Sequence, residues 1–551
     1  MNKSPQRTYW VAANDKEAKA HEKNGTFSIF DPKDLPPGAN VIDGIWRYKI
    51  KDNKSTGLVD KFKSRLCARG DKQRAGIDYF NTSSPVVSMT TLRTVLALST
   101  LYDWHLESYD VETAYLNAKL EEDVFMRPPP GIKTYLGQPT AGKLLKIEKG
   151  LYGLCQSGYA WWRELDGWLM DKSANPDCTK CSTDTCVYTF RRGDSFVILL
   201  VYVDDIISAS NDPEFKKEIK DRLFSRFKMT GGEPLSSILG CQIDINKEAG
   251  TLQMHQTRYI KDMLHTYDPD SEHTEKTPMA DTNIISAIDC PAEGSPEQAS
   301  MKKVPFRALV GSLMYAEKTR PDISAALSKV ASFAANPGMA HYKAALRILR
   351  YLRGTIELRL TYRKKGGVTP MMFTSSDIKK MAKECTFADT LMAMCDADYA
   401  GCPTSRRSTS GWLCFLAGAP VAWGSKKQSI TAVSSAESEY VSLASCCKEM
   451  VALRNLMTQL PCGLPSAPTM VYEDNQSCIS MVKNPKGWKH TKHIDVRLHF
   501  VRDLSEAGLI KLQHVTTDKQ IADALTKPLA PSTFPKFRDR MLGLLESADF
   551  E

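Results

Sequence analysis

Residues Phe196 to Val203 form an unbroken apolar run that ends in two adjacent carboxylates, Asp204 and Asp205. Apolar positions resume at once with Ile206-Ile207. A run this short, rich in Val and Ile, predicts a buried strand, and the second run predicts its return. The two aspartates then sit at the tip of a hairpin. Asp is an ordinary turn residue, but a support that is apolar on both faces suits a rigid platform for a charged site.

The rest of the pattern divides the chain. Tyr9 to about Thr26 reads as a polar helix ended by Asn24-Gly25. Val41 to Arg69 reads as strands with a turn at Asp52 to Gly57, and Thr91 to Trp104 as a helix leading into a short strand. Glu214 to Phe227 is an amphipathic helix, and Leu235 to Ile245 a strand. Thr266 to Ser300 is rich in Pro, Ser, Thr, Asp and Glu without periodicity, which predicts a loop or linker. Pro305 to Arg363 is helical in pattern, with Arg347, Arg350 and Arg353 on one face. Such a face is either solvated or tracks phosphates beside a duplex. The polar stretch Lys364 to Thr390 predicts a linker to an independent domain. There, Leu391 to Asp396, Gly411 to Phe415, Pro420 to Trp423 and Met470 to Asp474 read as strands. A helix starts near Ser435, and a short one covers Gln520 to Lys527.

Composition narrows the class. The 551 residues suggest about three or four domains. With 42% hydrophobic residues the chain can bury sizeable cores, which argues against wholesale disorder. A net charge of +9 fits a polyanionic partner. No apolar segment follows Met1, and no apolar run reaches about 20 residues, so neither a signal peptide nor a membrane span is expected. The 15 cysteines are scattered through apparent cores, Cys446-Cys447 among them, which predicts free thiols in a reducing compartment. Cys178, Cys181 and Cys186 lack the partnering Cys/His pair that a closed zinc site requires.

A pair of aspartates on a rigid hairpin needs a third carboxylate for phosphoryl transfer. Two divalent metals about 4 Å apart can activate a 3′-hydroxyl and stabilise a leaving pyrophosphate, and Mg²⁺ prefers carboxylates plus substrate phosphates. The upstream candidate is Asp110. Lys61, Lys63, Arg65, Arg69, Lys72 and Arg74 are interleaved with Phe62, Leu66 and Phe80. They suit either a charged strand edge or phosphate contact.

Three motifs occur in order: Asp110-Val-Glu-Thr-Ala-Tyr-Leu-Asn117, Leu151-Tyr-Gly-Leu-Cys-Gln156 and Tyr202-Val-Asp-Asp205. Together they resemble the reverse transcriptase of copia-type LTR retrotransposons, from near Trp10 almost to Leu529. The resemblance implies a multidomain α+β and α/β protein. A right-hand polymerase with fingers, palm and thumb/connection would precede a ribonuclease H-like mixed sheet with helices. Fingers and palm would take residues 1–250, a linker and helical thumb/connection 251–363, a linker 364–390, the ribonuclease H-like domain 391–530, and a tail 531–551. Asp110, Asp204 and Asp205 would be catalytic metal ligands. Lys63 and Arg65 would touch the incoming triphosphate, and Tyr115 would leave no room for a 2′-hydroxyl. Gln156 would reach nucleotide or template unless it is a capping or turn residue, and Tyr202 would join the substrate site. Where relatives usually read Leu-Lys-Gln-Ala-Pro-Arg, this chain has Leu154-Cys-Gln-Ser-Gly-Tyr159, without the two basic side chains.

A second ordered set of acids follows. Ser434-Ser-Ala-Glu437 has capping-box spacing, so Glu437 reads as a cap. Glu439 lies inside the first turns, beside the stripe Tyr440, Leu443, Ala444, Cys447 and Val451. Strand Asp396, helix Glu439, strand Asp474 and helix Asp523 are similar to the ribonuclease H arrangement, which would hold two metals for hydrolysis of a phosphodiester. Motif position favours Asp396 over Asp398. His490 and His493 are not assigned as ligands.

The implied activity is RNA- and DNA-templated DNA synthesis with ribonuclease H cleavage of RNA/DNA hybrids, within a retrotransposon polyprotein. Each site would use two Mg²⁺, with Mn²⁺ the alternative. The implied partners are an RNA template, a DNA or tRNA-like primer, RNA/DNA hybrid and deoxynucleoside triphosphates, in the cytoplasm or within virus-like particles. The rival readings are a relic that binds nucleic acid without polymerising, motivated by the replaced basic residues after Leu154, and ribonuclease H activity alone.

Overall fold

The computed structural model describes residues 6–52, 59–132, 134–135, 137–280, 285–364, 391–461, 467–483 and 495–544. The predicted turn beyond Asp52, the predicted linker beyond Lys364, and His490 and His493 lie outside these residues. No helix among the described residues is long and apolar enough to cross a membrane. The chain forms two compact units: Met1–Val87 with Glu107–Glu233, and Ser88–Leu106 with Pro234–Glu551.

In the first unit, a five-stranded sheet runs in the order Phe27–Phe30, Leu144–Lys149, Lys119–Arg127, Val41–Asp52, Val59–Ala68. Its outer hairpin sets Arg47 opposite Arg65 and Lys49 opposite Lys63. Cross-strand partners share a face and neighbours alternate. Lys63 and Arg65 therefore project on one side, and Phe62, Ser64 and Leu66 on the other. The apolar side receives the helix Arg7–Asn24, whose Trp10 meets the Phe62 ring edge-on at 4.7 Å. A six-stranded sheet follows, in the order Met229–Pro234, His105–Val111, Asp205–Ser210, Ser195–Tyr202, Val187–Arg192, Cys178–Lys180. Residues Phe196 to Val201 are all buried, as an apolar run covered on both faces should be.

The second unit has an apolar core drawn from both sides of residues 365–390. Ile260, Leu313 and Ile348 share it with Met394, Leu413, Leu525 and Phe537. A four-stranded sheet runs Ser237–Ile238, Cys241–Asn246, Thr251–His255, Leu360–Arg363. The single strand expected at Leu235 to Ile245 is thus two, broken where Leu239 and Gly240 take left-handed φ of 49° and 74°. The end of the expected helical stretch, Leu360–Arg363, is a strand on Thr251–His255. Its Thr and Tyr favour that pleated setting. A five-stranded sheet runs Ala419–Lys427, Thr409–Leu416, Met392–Asp398, Thr469–Glu473, Ile510–His514. Its last two neighbour pairs are parallel and the others antiparallel. The helix Ser435–Gln459 lies on Met392–Asp398 and Thr409–Leu416.

The arginine face of the helix Met339–Gly354 is half-buried and paired with acids. Arg350 and Arg353 reach Asp268 at 3.1 and 2.9 Å, and Arg347 reaches Glu275 at 2.9 Å. Burial works to raise the Asp268 carboxyl, and the two guanidiniums overturn that and hold it below the usual carboxylate range. The face pins the segment that follows the helix Thr257–Tyr267.

Candidate active sites

The hairpin turns through Val203 and Asp204, with Tyr202 paired to Asp205. Val203 has φ 57°, a left-handed conformation that costs a β-branched residue energy. Two bonds hold it there: Trp161 Nε1 donates to Val203 O at 2.7 Å, and Val111 N donates to Asp204 O at 2.9 Å. The second bond ties the tip to the strand His105–Val111, which carries Asp110. The Asp205 carboxyl is pushed up to about 6, first by burial, then by the negative charges of Asp204 and Asp110. The three acids therefore form one electrostatic group. Three carboxylates gathered at one hairpin suit a divalent ion.

An aromatic–cation chain leads away from this group. Arg65 lies over the Tyr152 ring at 4.5 Å, and Tyr152 meets Tyr115 edge-on at 5.0 Å. Burial raises both phenols, and the Asp204 charge raises both further. Tyr115 sits on the short helix Ala114–Asn117. Two close backbone approaches fix the chain. A side chain at Gly150 would place Cβ 2.7 Å from Tyr115 O, and one at Gly153, where φ is +93°, 2.2 Å from Ala68 O. Lys63 shares the strand face of Arg65. Tyr202, half-buried, shares the face of Asp205. Gln156 does not join this group. It is buried, donating to Asp78 O at 2.8 Å and accepting from Gln73 Nε2 at 3.0 Å, and it makes no side-chain capping bond.

The second group of acids lies at one end of the five-stranded sheet. Asp396, Asp474 and Asp523 bring ligand atoms within 4.8 Å of one another. Glu439, Glu473 and Asp474 do the same, so Asp474 is common to both sets. Asp398 belongs to neither. Ser434 Oγ accepts from Glu437 N at 3.2 Å, and the Glu437 carboxylate accepts from Val433 N at 2.9 Å. Glu437 is thereby spent on the helix start, while Glu439 projects toward the sheet. Burial, then neighbouring acids, hold Glu439 and Glu473 well above the usual carboxylate range. Asp523 is raised by the same causes in the same order, against the pull of Lys527. The buried Glu439 Oε2 has no hydrogen-bond partner. An orphaned carboxylate oxygen beside converging acids fits a hard cation.

Residues 27–281 match the family described as Reverse transcriptase (RNA-dependent DNA polymerase). They are a reverse transcriptase domain of the retrotransposon Pol type. The chain is 34% identical over 535 residues to the Retrovirus-related Pol polyprotein from transposon TNT 1-94 of Nicotiana tabacum, covering 96% of this chain and 37% of that protein. It is also 34% identical over 533 residues to the corresponding polyprotein from transposon RE1 of Arabidopsis thaliana, at 97% and 34% coverage. The Transposon Ty1-NL2 Gag-Pol polyprotein of Saccharomyces cerevisiae is 24% identical over 534 residues, at 92% and 27% coverage. The chain thus spans about a third of the length of these curated relatives. The copia-type resemblance read from the motifs is borne out.

The reverse transcriptase domain contains the hairpin acids, Lys63, Arg65, Tyr115, Gln156 and Tyr202, whereas the second acid cluster lies beyond residue 281. Two residues escaped sequence reading. Tyr152 stood in view inside the Leu-Tyr-Gly-Leu motif. Glu473 was masked by its neighbour Asp474; only strand alternation could have separated the buried acid from the half-exposed one.

Proposed function

We propose that this chain is an RNA- and DNA-templated DNA polymerase with an attached ribonuclease H. Fingers and palm take residues 1–250, a linker and the helical thumb/connection region 251–363, and the ribonuclease H-like domain 391–530. Residues 364–390 link these parts, and the expected tail at 531–551 is corrected at its start, where the helix Phe534–Met541 packs into the core of the second unit. The observation that carries the reading is the braced hairpin that ties Asp204 and Asp205 to the strand of Asp110 inside a reverse transcriptase domain.

In this reading Asp110, Asp204 and Asp205 hold Mg²⁺ at the polymerase site, and Asp396, Glu439, Asp474 and Asp523 hold it at the nuclease. Bound there, the ions supply the positive charge that phosphoryl transfer needs. The chain's own residues do the rest. Arg65 and Lys63 present a cationic strand face to the triphosphate. The pairs Arg47–Arg65 and Lys49–Lys63 across that hairpin concentrate positive charge on it. Tyr115, held by Tyr152 and Gly150, fills the space beside the sugar and excludes a 2′-hydroxyl. Tyr202, on the Asp205 face, supports the primer end. Gln156 acts at one remove, fixing the loop that carries Tyr152. Primer–template binding rests on phosphate contacts and weakens steeply with salt.

One reaction tests both halves: a labelled DNA primer on a labelled RNA template with Mg²⁺ and deoxynucleotides. Primer extension with RNA degradation supports the whole reading. RNA degradation without extension reduces it to a ribonuclease H. Binding without either change leaves a relic.

A further inference from the structure

Lys527 stands against the second acid cluster. Lys527 follows Asp523 by one helical turn, and its Nζ lies 2.9 Å from Asp523 Oδ1. Its side chain is still 37% exposed, while that of Asp523 is 6% exposed. Burial works against the ammonium charge, and Asp396, Asp523 and Asp474 together overturn that. These are the three acids whose ligand atoms lie within 4.8 Å of one another. Thr526, the preceding residue, donates to the Asp396 carboxylate, so the segment is anchored from inside the cluster. The lysine therefore already neutralises part of the charge that a divalent ion would use.

We propose that Lys527 is a resident competitor for the divalent cation at this cluster, so that metal occupancy and nucleic-acid occupancy are linked. The proposal rests on the nuclease reading of these acids. An entering ion meets Asp523 already paired and a positive charge within a few ångströms. It gains full access to Asp523 only when the ammonium leaves. The exposed part of the side chain gives the lysine a route outward, where the backbone of a bound strand offers phosphate oxygens as replacement partners. Substrate-free protein then binds metal weakly, and a phosphate strand releases the carboxylate. Lys527 is a positioning residue in this scheme, acting through Asp523 and Asp396.

The test uses the full chain with Asp204→Asn and Asp205→Asn throughout, which silences the hairpin acids, and Mn²⁺ as the probe. Free Mn²⁺ is read by electron paramagnetic resonance without nucleic acid. Lys527→Met is expected to bind Mn²⁺ about tenfold more tightly, the size of one half-exposed charge pair removed plus one repulsion relieved. Lys527→Arg, which keeps the charge, should stay within about twofold of the parent. Hybrid cleavage by Lys527→Met should reach half-maximum at lower Mn²⁺ yet with a lower kcat. Unchanged or weaker Mn²⁺ binding by Lys527→Met overturns the proposal. Lys527→Gln is read the same way if the Met variant does not fold. Asp396→Asn separates the two failures. If it leaves Mn²⁺ binding intact, the metal-site reading itself falls. If it abolishes binding while Lys527→Met changes nothing, only the competitor role falls.

Discussion

Replacing Arg350 with Gln separates a structural from a phosphate-binding role for the basic face of the helix Met339–Gly354. Arg350 Nε and Nη2 each lie 3.1 Å from a different oxygen of Asp268, a two-pronged contact. The Asp268 side chain is 10% exposed and that of Arg350 31%. Charge-assisted bonds of this kind contribute about 1.5–3 kcal/mol, and Asp268 keeps Arg353 after the change. The expected cost is therefore about 1.5–3 kcal/mol, or roughly ten- to a hundredfold faster amide exchange in that helix, at about tenfold per 1.4 kcal/mol. The contact also fixes a pH dependence. Because the folded Asp268 carboxyl sits below its ordinary value, its contribution is complete above about pH 4 and is lost as pH falls through the lowered value. Hydrogen exchange at neutral pH and a salt titration of primer–template binding check both aspects. The log–log salt slope should not change. Unchanged exchange with a slope reduced by about 0.9 would refute the reasoning, because it would place Arg350 on a phosphate.

Three further outcomes follow from the sites. Gly153→Ala forces Cβ within 2.2 Å of Ala68 O at a left-handed φ; thermal unfolding should show a loss of at least about 2 kcal/mol. Glu439→Gln replaces a buried acid, held well above the usual carboxylate range by burial and neighbouring acids, by a near-isostere. Urea unfolding of metal-free protein should change by less than about 1 kcal/mol, while hybrid cleavage is lost. Tyr115→Val should admit ribonucleotides, raising their kcat/KM relative to deoxynucleotides at least about tenfold in single-nucleotide incorporation.

What could be read in advance depended on how local the cause is. The hairpin was legible because an apolar run, two acids and a second apolar run are contiguous. Glu437 and Glu439 could be told apart because capping is set within four residues. The arginine face could not be interpreted: its acidic partner Asp268 lies 82 residues before Arg350, and no spacing rule joins them. The helix Met89–Tyr102 was visible as a helix, but not that it packs on Thr251–His255, Leu360–Arg363 and Ala419–Lys427. That partnership depends on tertiary burial; the Arg93 guanidinium sits 3.7 Å over the Trp423 ring. Glu473 shows the same limit at one residue, since register alone decides which of two adjacent acids faces inward.

Primer extension on an RNA template with Mg²⁺ and all four deoxynucleotides, beside the Asp204→Asn variant, tests the central claim most directly. Extension by the unmutated chain that disappears in the variant, with primer–template affinity unchanged, is the predicted result. No extension by the unmutated chain despite intact binding, or equal extension by both proteins, would contradict the assignment of the hairpin acids.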